Sequence, residues 1–202
     1  VTDKQLDVIA ELADRYSFSE VRNSHNQNII LADVEQAQLF TLWGELRENG
    51  FATPNVGLLT DIICCPGGDF CSLANAKSIP IAEAIQRRFD DLDYLFDIGN
   101  IDLNISGCMN ACGHHHVGHI GILGVDKKGQ EFYQVSLGGS AGRDASLAQI
   151  LGPSFAEADM ADVIDKIVKV YVERRDEEES FLDTFRRIGV DPFKERVYAA
   201  NH

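Results

Sequence analysis

The residues of this chain best suited to metal or redox chemistry are its five cysteines, four of which fall into two short-looped pairs. Cys65 and Cys71 enclose five residues in Cys64-Cys65-Pro66-Gly67-Gly68-Asp69-Phe70-Cys71, and Cys108 and Cys112 enclose three in Gly107-Cys108-Met109-Asn110-Ala111-Cys112-Gly113. Four thiolates converging on one point are what an iron-sulfur cluster or a structural zinc requires. Structural zinc pairs usually stand about two to four residues apart in a tight knuckle, so zinc fits this combination of intervals the less well. His114, His115, His116 and His119 follow closely. A histidine metal pair, proton delivery beside an anion and plain structural roles are all open for them, although Val117-Gly118 argues against the long helix a pair at i and i+4 needs.

The two motifs resemble the signature of the sulfite and nitrite reductase haemoprotein family. The similarity runs through Ile105-Ser106-Gly107-Cys108-Met109-Asn110-Ala111-Cys112-Gly113-His114-His115-His116 and into Ile120-Gly121-Ile122-Leu123-Gly124. In that family a Cys-x5-Cys and a Cys-x3-Cys hold a 4Fe-4S cluster, and the last cysteine also bridges to the iron of a sirohaem. The resemblance implies that Cys65, Cys71, Cys108 and Cys112 are the cluster ligands and that Cys112 is the axial ligand of sirohaem iron. Neighbouring residues of an extended strand point to opposite faces, so Cys64 is read as a small buried apolar side chain beside the ligand Cys65. The chain departs from the family at Pro66, where many members carry threonine and so have a hydroxyl and an amide donor that proline lacks.

A length of 202 residues allows one domain or two small ones. No apolar run approaches the roughly 20 residues that cross a bilayer, and Val1-Thr2-Asp3-Lys4 has no signal-peptide character, so a cytoplasmic protein with no membrane partner is expected. Clustered cysteines in odd number fit thiolate ligands in a reducing compartment better than disulfides. A net charge of -14 argues against nucleic acid as a partner. Sulfite, nitrite and the carboxylates of sirohaem nonetheless need local positive charge. In the family, many of the basic residues that supply it lie in an earlier half of a longer polypeptide.

Taken in order, the chain opens with a capping box, Thr2 with Gln5, and an apolar face of Leu6, Ile9, Leu12, Ala13 and Tyr16, which predict a helix. Extended segments are expected at Ser19 to Asn23 and Asn28 to Ala32, then a second helix opened by Asp33 with Gln36 and closed by Gly50. This α-β-β-α order resembles a ferredoxin-like half repeat, residues 1–53. Within it Arg22 matches a polar segment near the sirohaem and is the cationic candidate for cofactor binding. Thr53-Pro54 marks a boundary, and residues 54–202 are expected to form the cluster and sirohaem domain, a mixed sheet flanked by helices, making the whole chain α+β. Leu58 to Cys64 and Ile101 to Ser106 read as strands that deliver the cysteine motifs, with a helix near Pro80 to Asp90 between them. Ala74 and Ala76 suit close packing on a flat ligand or ordinary helix, and Asn110 is expected to organise its loop by side-chain hydrogen bonds. A hairpin at Asp126 to Gln130, a glycine-rich stretch ending at Arg143, and helices at Asp159 to Glu173 and Phe181 to Gly189 follow, with Arg174 to Glu179 read as a solvated helix face.

The resemblance covers essentially the whole chain but only about the C-terminal half of a family polypeptide. It implies a piece of a reductase that performs the six-electron reduction of sulfite, with nitrite as the alternative. Its partners would be the N-terminal half of the enzyme and an electron donor, ferredoxin or a flavoprotein. The piece alone is expected to be inactive unless two copies pair about a twofold axis. A cluster-only electron-transfer or redox-sensing protein and a zinc-stabilised module are the other classes the same cysteines permit.

Overall fold

A computed structural model describes residues 1–199. The chain divides into two compact units, Val1–Pro54 and Asn55–His202.

The first unit begins with α1 (Asp3–Tyr16), which is capped as expected: Thr2 accepts the Gln5 amide and the Gln5 side chain accepts the Thr2 amide at 2.8 Å. Two short strands, β1 (Val21–Asn23) and β2 (Ile29–Leu31), pair antiparallel. The expected cap at Asp33 is not formed. Asp33 takes a left-handed φ of 56° and turns its carboxylate to Arg22, so the chain enters α2 (Leu39–Glu48) through a 3-10 turn at Gln36–Gln38 with no side-chain cap. The far end of α2 closes in a Schellman motif. Gly50, at φ 77°, donates its amide to Arg47, and the Phe51 amide reaches the Leu46 carbonyl at 2.9 Å. Ile9, Ile29, Leu31, Leu42 and Leu46 line an apolar groove of about 660 Å³ that lies within this unit and contains none of the cysteines.

The second unit is built on a mixed five-stranded sheet in the order β3-β4-β5-β6-β7. The strands are β3 (Ile63–Cys64), β4 (Leu103–Ser106), β5 (Ile120–Lys127), β6 (Gln130–Leu137) and β7 (Gln149–Ile150). The first three are mutually parallel and the last two antiparallel to their neighbours. The crossover between β3 and β4 carries α3 (Ile79–Arg88) and α4 (Leu92–Ile98). β3 is far shorter than Leu58 to Cys64, because Leu58 instead bridges Asn100 and the next residues turn. Lys128 and Gly129, both at positive φ, make a two-residue turn of the kind that matches strand twist, and β5 and β6 pair along their whole length.

Helices α5 (Met160–Arg174), α6 (Phe181–Ile188) and α7 (Asp191–Tyr198) complete the unit. Ile81, Ile85, Leu103, Ile105, Ile120, Val135, Ile164, Ile167 and Phe181 meet in one core of sheet and helices. Such burial contributes about 1.5–3 kcal/mol for each large side chain. The run Arg174 to Glu179 is not a helix face. α5 ends at Arg174, and of the charges that follow Arg175 pairs with Asp97 at 2.8 Å while Asp176 and Glu179 pair with Arg187.

The Arg187 guanidinium, with the Asp176 amide at 3.0 Å and the Thr184 hydroxyl at 2.9 Å, holds the Glu179 carboxyl down to about 2. A carboxylate whose folded value lies below the roughly 4.3 of an unfolded glutamate adds stability that is present above that pH and is lost as pH falls through the folded value. The melting temperature of Glu179→Gln is therefore expected to lie below that of the parent at neutral pH, and the gap to close between about pH 4.3 and pH 2. A gap independent of pH in a thermal titration would contradict this.

Candidate functional site

β3 and β4 run parallel with Cys64 opposite Ile105, so the loops that leave their C-terminal ends emerge side by side. The Cys65 amide donates to the Ile105 carbonyl at 3.1 Å, and the Gly107 amide donates to Cys65 Sγ at 3.0 Å. One hydrogen bond thus ties the first cysteine of one motif to the residue that precedes the first cysteine of the other.

The rest of each loop is fixed mainly by its backbone. In the first, the Cys71 amide donates to the Gly67 carbonyl at 2.9 Å and the Ala74 amide to the Cys71 carbonyl at 3.2 Å. The returning segment places the amides of Asn75 and Ala76 on the Gly107 carbonyl, at 2.8 and 3.1 Å. Its end is held to the sheet, since Lys77 donates its amide to Glu131 at 3.0 Å and accepts the Tyr133 hydroxyl at 2.9 Å. Ala74 therefore lies in a turn, half-buried, and Ala76 lies in the core; neither is helical.

In the second loop, Ala111 at φ 56° lets the chain double back, with its amide on the Cys108 carbonyl at 3.1 Å and its own carbonyl accepting from His114 at 2.7 Å. Asn110 is exposed and makes no side-chain hydrogen bond among the described residues, so the loop does not depend on it in the way expected. That work falls to two buried polar residues of β4. Ser106 Oγ accepts the Gly113 amide at 3.1 Å, and Asn104 Nδ2 donates to the His114 carbonyl at 3.1 Å. They stand two positions apart on one face of the strand, where the sequence signal was polar residues alternating with Leu103 and Ile105.

The loops approach so closely that only glycine fits at their crossing. A Cβ at Gly107 would lie 2.7 Å from the Ala76 carbonyl oxygen and 2.8 Å from Gly67 Cα, and one at Gly124 would lie 2.8 Å from the Gly107 carbonyl oxygen. Around this crossing Cys65 and Cys108 are buried, Cys71 is half-buried and Cys112 is exposed. Phe70, Leu73 and Met109 extend into solvent from the same two loops and leave an exposed apolar rim. Among the described residues no three His, Cys, Asp or Glu side chains are grouped as chelators of a single ion. A cube of iron and sulfide asks for a wider set of thiols than one ion does, and two loops at adjacent strand ends, with glycines where bulk would intrude, fit that need.

Cys64 faces away. Its side chain packs against the core, its Sγ lies 3.2 Å from the Cys65 carbonyl oxygen, and burial pushes its thiol up to about 12. His115–Val117 forms a 3-10 turn only. His119 Nδ1 accepts the Asp102 amide at 3.1 Å and its ring stacks near Phe181; burial lowers its pKa despite the opposing pull of Asp102. His119 thus holds its loop to Asp102 and Phe181. Arg22 lies in the other unit, exposed and already paired with Glu20 and with Asp33 at 3.1 Å. No helix among the described residues is long and apolar enough to cross a membrane.

Comparison with known proteins gives the family and the fold. Residues 57–201 match the nitrite and sulphite reductase 4Fe-4S domain, and residues 1–49 match the nitrite/sulfite reductase ferredoxin-like half domain. A ferredoxin--nitrite reductase of Synechococcus elongatus is 31% identical over 176 residues, covering 83% of this chain and 33% of the relative. A sulfite reductase (ferredoxin) of Mycobacterium tuberculosis is 30% identical over 199 residues, 94% of this chain and 36% of the relative. The chain therefore spans about a third of the length of these relatives. The solved structure of the Mycobacterium tuberculosis NirA protein superposes with a TM-score of 0.81 at 27% identity, over 96% of this chain and 37% of that one. A dissimilatory sulfite reductase I, at 12% identity and a TM-score of 0.75, shares the fold. The chain belongs to the nitrite and sulphite reductase family, whose cofactors are a 4Fe-4S cluster and a sirohaem.

Proposed function

We propose that Cys65, Cys71, Cys108 and Cys112 hold the 4Fe-4S cluster, that Cys112 Sγ also ligates sirohaem iron, and that the chain is the cofactor-carrying part of a sulfite reductase. The observation that carries this reading is the Gly107 amide on Cys65 Sγ at 3.0 Å, which locks the two motifs together at the ends of parallel strands. When bound, the coupled cofactors supply the capacity to pass six electrons to one sulfur or nitrogen atom, which no side chain has.

The chain's own residues hold and shape the place. Gly67, Gly107 and Gly124 keep it free of side-chain bulk, and Ser106 and Asn104 fix the turn that presents Cys112 outward. Exposure of Cys112, against burial of Cys65 and Cys108, leaves one thiol free to meet a second group on its outer side. The Synechococcus relative keeps nitrite as the second reading. Ferredoxin, after which both relatives are named, is the proposed donor class, with a flavoprotein as the alternative. Residues outside this chain would grip the substrate, so the chain alone is expected to show no six-electron turnover.

Anaerobic reconstitution with ferrous iron and sulfide is expected to load about four of each per chain. Cys64→Ala should load equally, at a cost of about 1 kcal/mol in stability, the scale of removing one small buried group. Zinc uptake without iron and sulfide would favour a structural module instead. A Cys64→Ala variant that failed to load would move that residue into the ligand set.

A further inference from the structure

Ser78 immediately precedes α3 and its carbonyl accepts the Ala82 amide at 3.1 Å, which makes it the N-cap residue by position. Serine is among the preferred residues there because its hydroxyl ordinarily accepts an amide of the first turn. Here it does not. Ser78 sits at φ -116° and ψ -39°, not in the extended conformation a side-chain cap needs, and it makes no capping bond. The hydroxyl, on a residue 0% exposed, points instead to the crossing of the cysteine loops, where Oγ lies 3.6 Å from Cys65 Sγ.

Two glycines make room for that hydroxyl. A Cβ at Gly67 would lie 2.5 Å from Ser78 Oγ and one at Gly107 would lie 3.0 Å from it. Cys65 Sγ thus has two donors within reach, the Gly107 amide and the Ser78 hydroxyl. Among the described residues no hydrogen bond reaches the sulfur of Cys71, Cys108 or Cys112.

We propose that the Ser78 hydroxyl donates a hydrogen bond to the Cys65 thiolate and so raises the reduction potential of the cluster that Cys65 holds. The inference rests on Cys65 being a ligand. Reduction adds an electron to the cluster, and part of the added charge falls on the ligand sulfurs. A donor aimed at one sulfur stabilises the reduced state more than the oxidised one. The proton stays on the Ser78 oxygen throughout. Ser78 is a tuning residue that acts through Cys65.

The test is a redox titration of reconstituted protein, followed by the electron spin resonance of the reduced cluster. Ser78→Ala is expected to load as much iron and sulfide as the parent and to shift the one-electron equilibrium roughly threefold to tenfold toward the oxidised state, the scale of one net hydrogen bond. A tenfold shift is about 59 mV for one electron. Ser78→Thr, which keeps the hydroxyl, should remain within about twofold of the parent. In the parent exchanged into heavy water, pulsed electron-nuclear resonance should detect a hydroxyl deuteron coupled to the cluster, and Ser78→Ala should lose it. An unchanged midpoint in fully loaded Ser78→Ala, or no deuteron difference between parent and Ser78→Ala, overturns the proposal and leaves the ligand scheme standing. Should Ser78→Ala not fold, Ser78→Gly, which costs little at a helix N-cap, takes its place, with the same shift and the same loss of the deuteron expected and an unchanged midpoint overturning the proposal. A parent that takes up no iron and sulfide overturns the ligand scheme itself, and the proposal with it.

Discussion

Cys112→Ser is expected to lose most of the iron and sulfide that the parent chain takes up under anaerobic reconstitution, together with any coupling to sirohaem. Replacing the sulfur by a harder oxygen removes a ligand outright. Mutating a residue that merely supports a ligand already costs about 10–100-fold in metal affinity, so loss of the ligand should exceed about 100-fold. The exposure of Cys112 makes the result easy to interpret, because the substitution leaves the core intact and the melting temperature of the metal-free chain should barely change. Iron and sulfide analysis beside a thermal melt separates the two effects. Cluster and haem retained with normal spectra would mean that the fourth ligand lies elsewhere.

Gly113→Ala should be among the most damaging single methyl groups that can be added near the site. A Cβ there would lie 2.0 Å from the Ile105 carbonyl oxygen and 2.8 Å from its carbon, both main-chain atoms of β4 that cannot swing away. The second loop would have to lift from the strand, breaking the Gly113 amide bond to Ser106 and moving Cys112 with it. Forced overpacking of this kind costs about 3 kcal/mol or more. Urea denaturation should show the loss as a lower midpoint at unchanged slope, and cluster loading should fall in parallel. A variant with parental stability would show that the loop is not seated on β4 as described.

Much of this was legible in the chain because the signals were local. The Thr2 and Gln5 box, the left-handed glycines at 50 and 189, and the Lys128-Gly129 turn each depend on residues a few positions apart, and each is found where expected. Asp33 failed as a cap because a residue eleven positions away, Arg22, captured its carboxylate. Helix α4 went unread although Asp91 caps it and Gly99 ends it, because at seven residues its apolar pattern is too short to establish a period. The two-residue β7 is set by its partner β6 and carries no signal of its own. At the site, spacing pointed to the four thiols, yet the roles of Ser78, Asn104 and Ser106 could not be read. Each depends on which backbone atom of a distant loop comes to rest beside it.

The five-stranded sheet is bordered on both sides by strands of two residues, β3 and β7. A sheet margin of ordinary length displays a row of unpaired amides and carbonyls on which another chain can build. Here the two outermost strands are too short to offer such a row, and among the described residues the longer hairpin β5–β6 lacks a strand neighbour mainly toward its turn, at 124–127 and 130–132. Extension of the sheet by another chain is thereby confined to that short reach of hairpin.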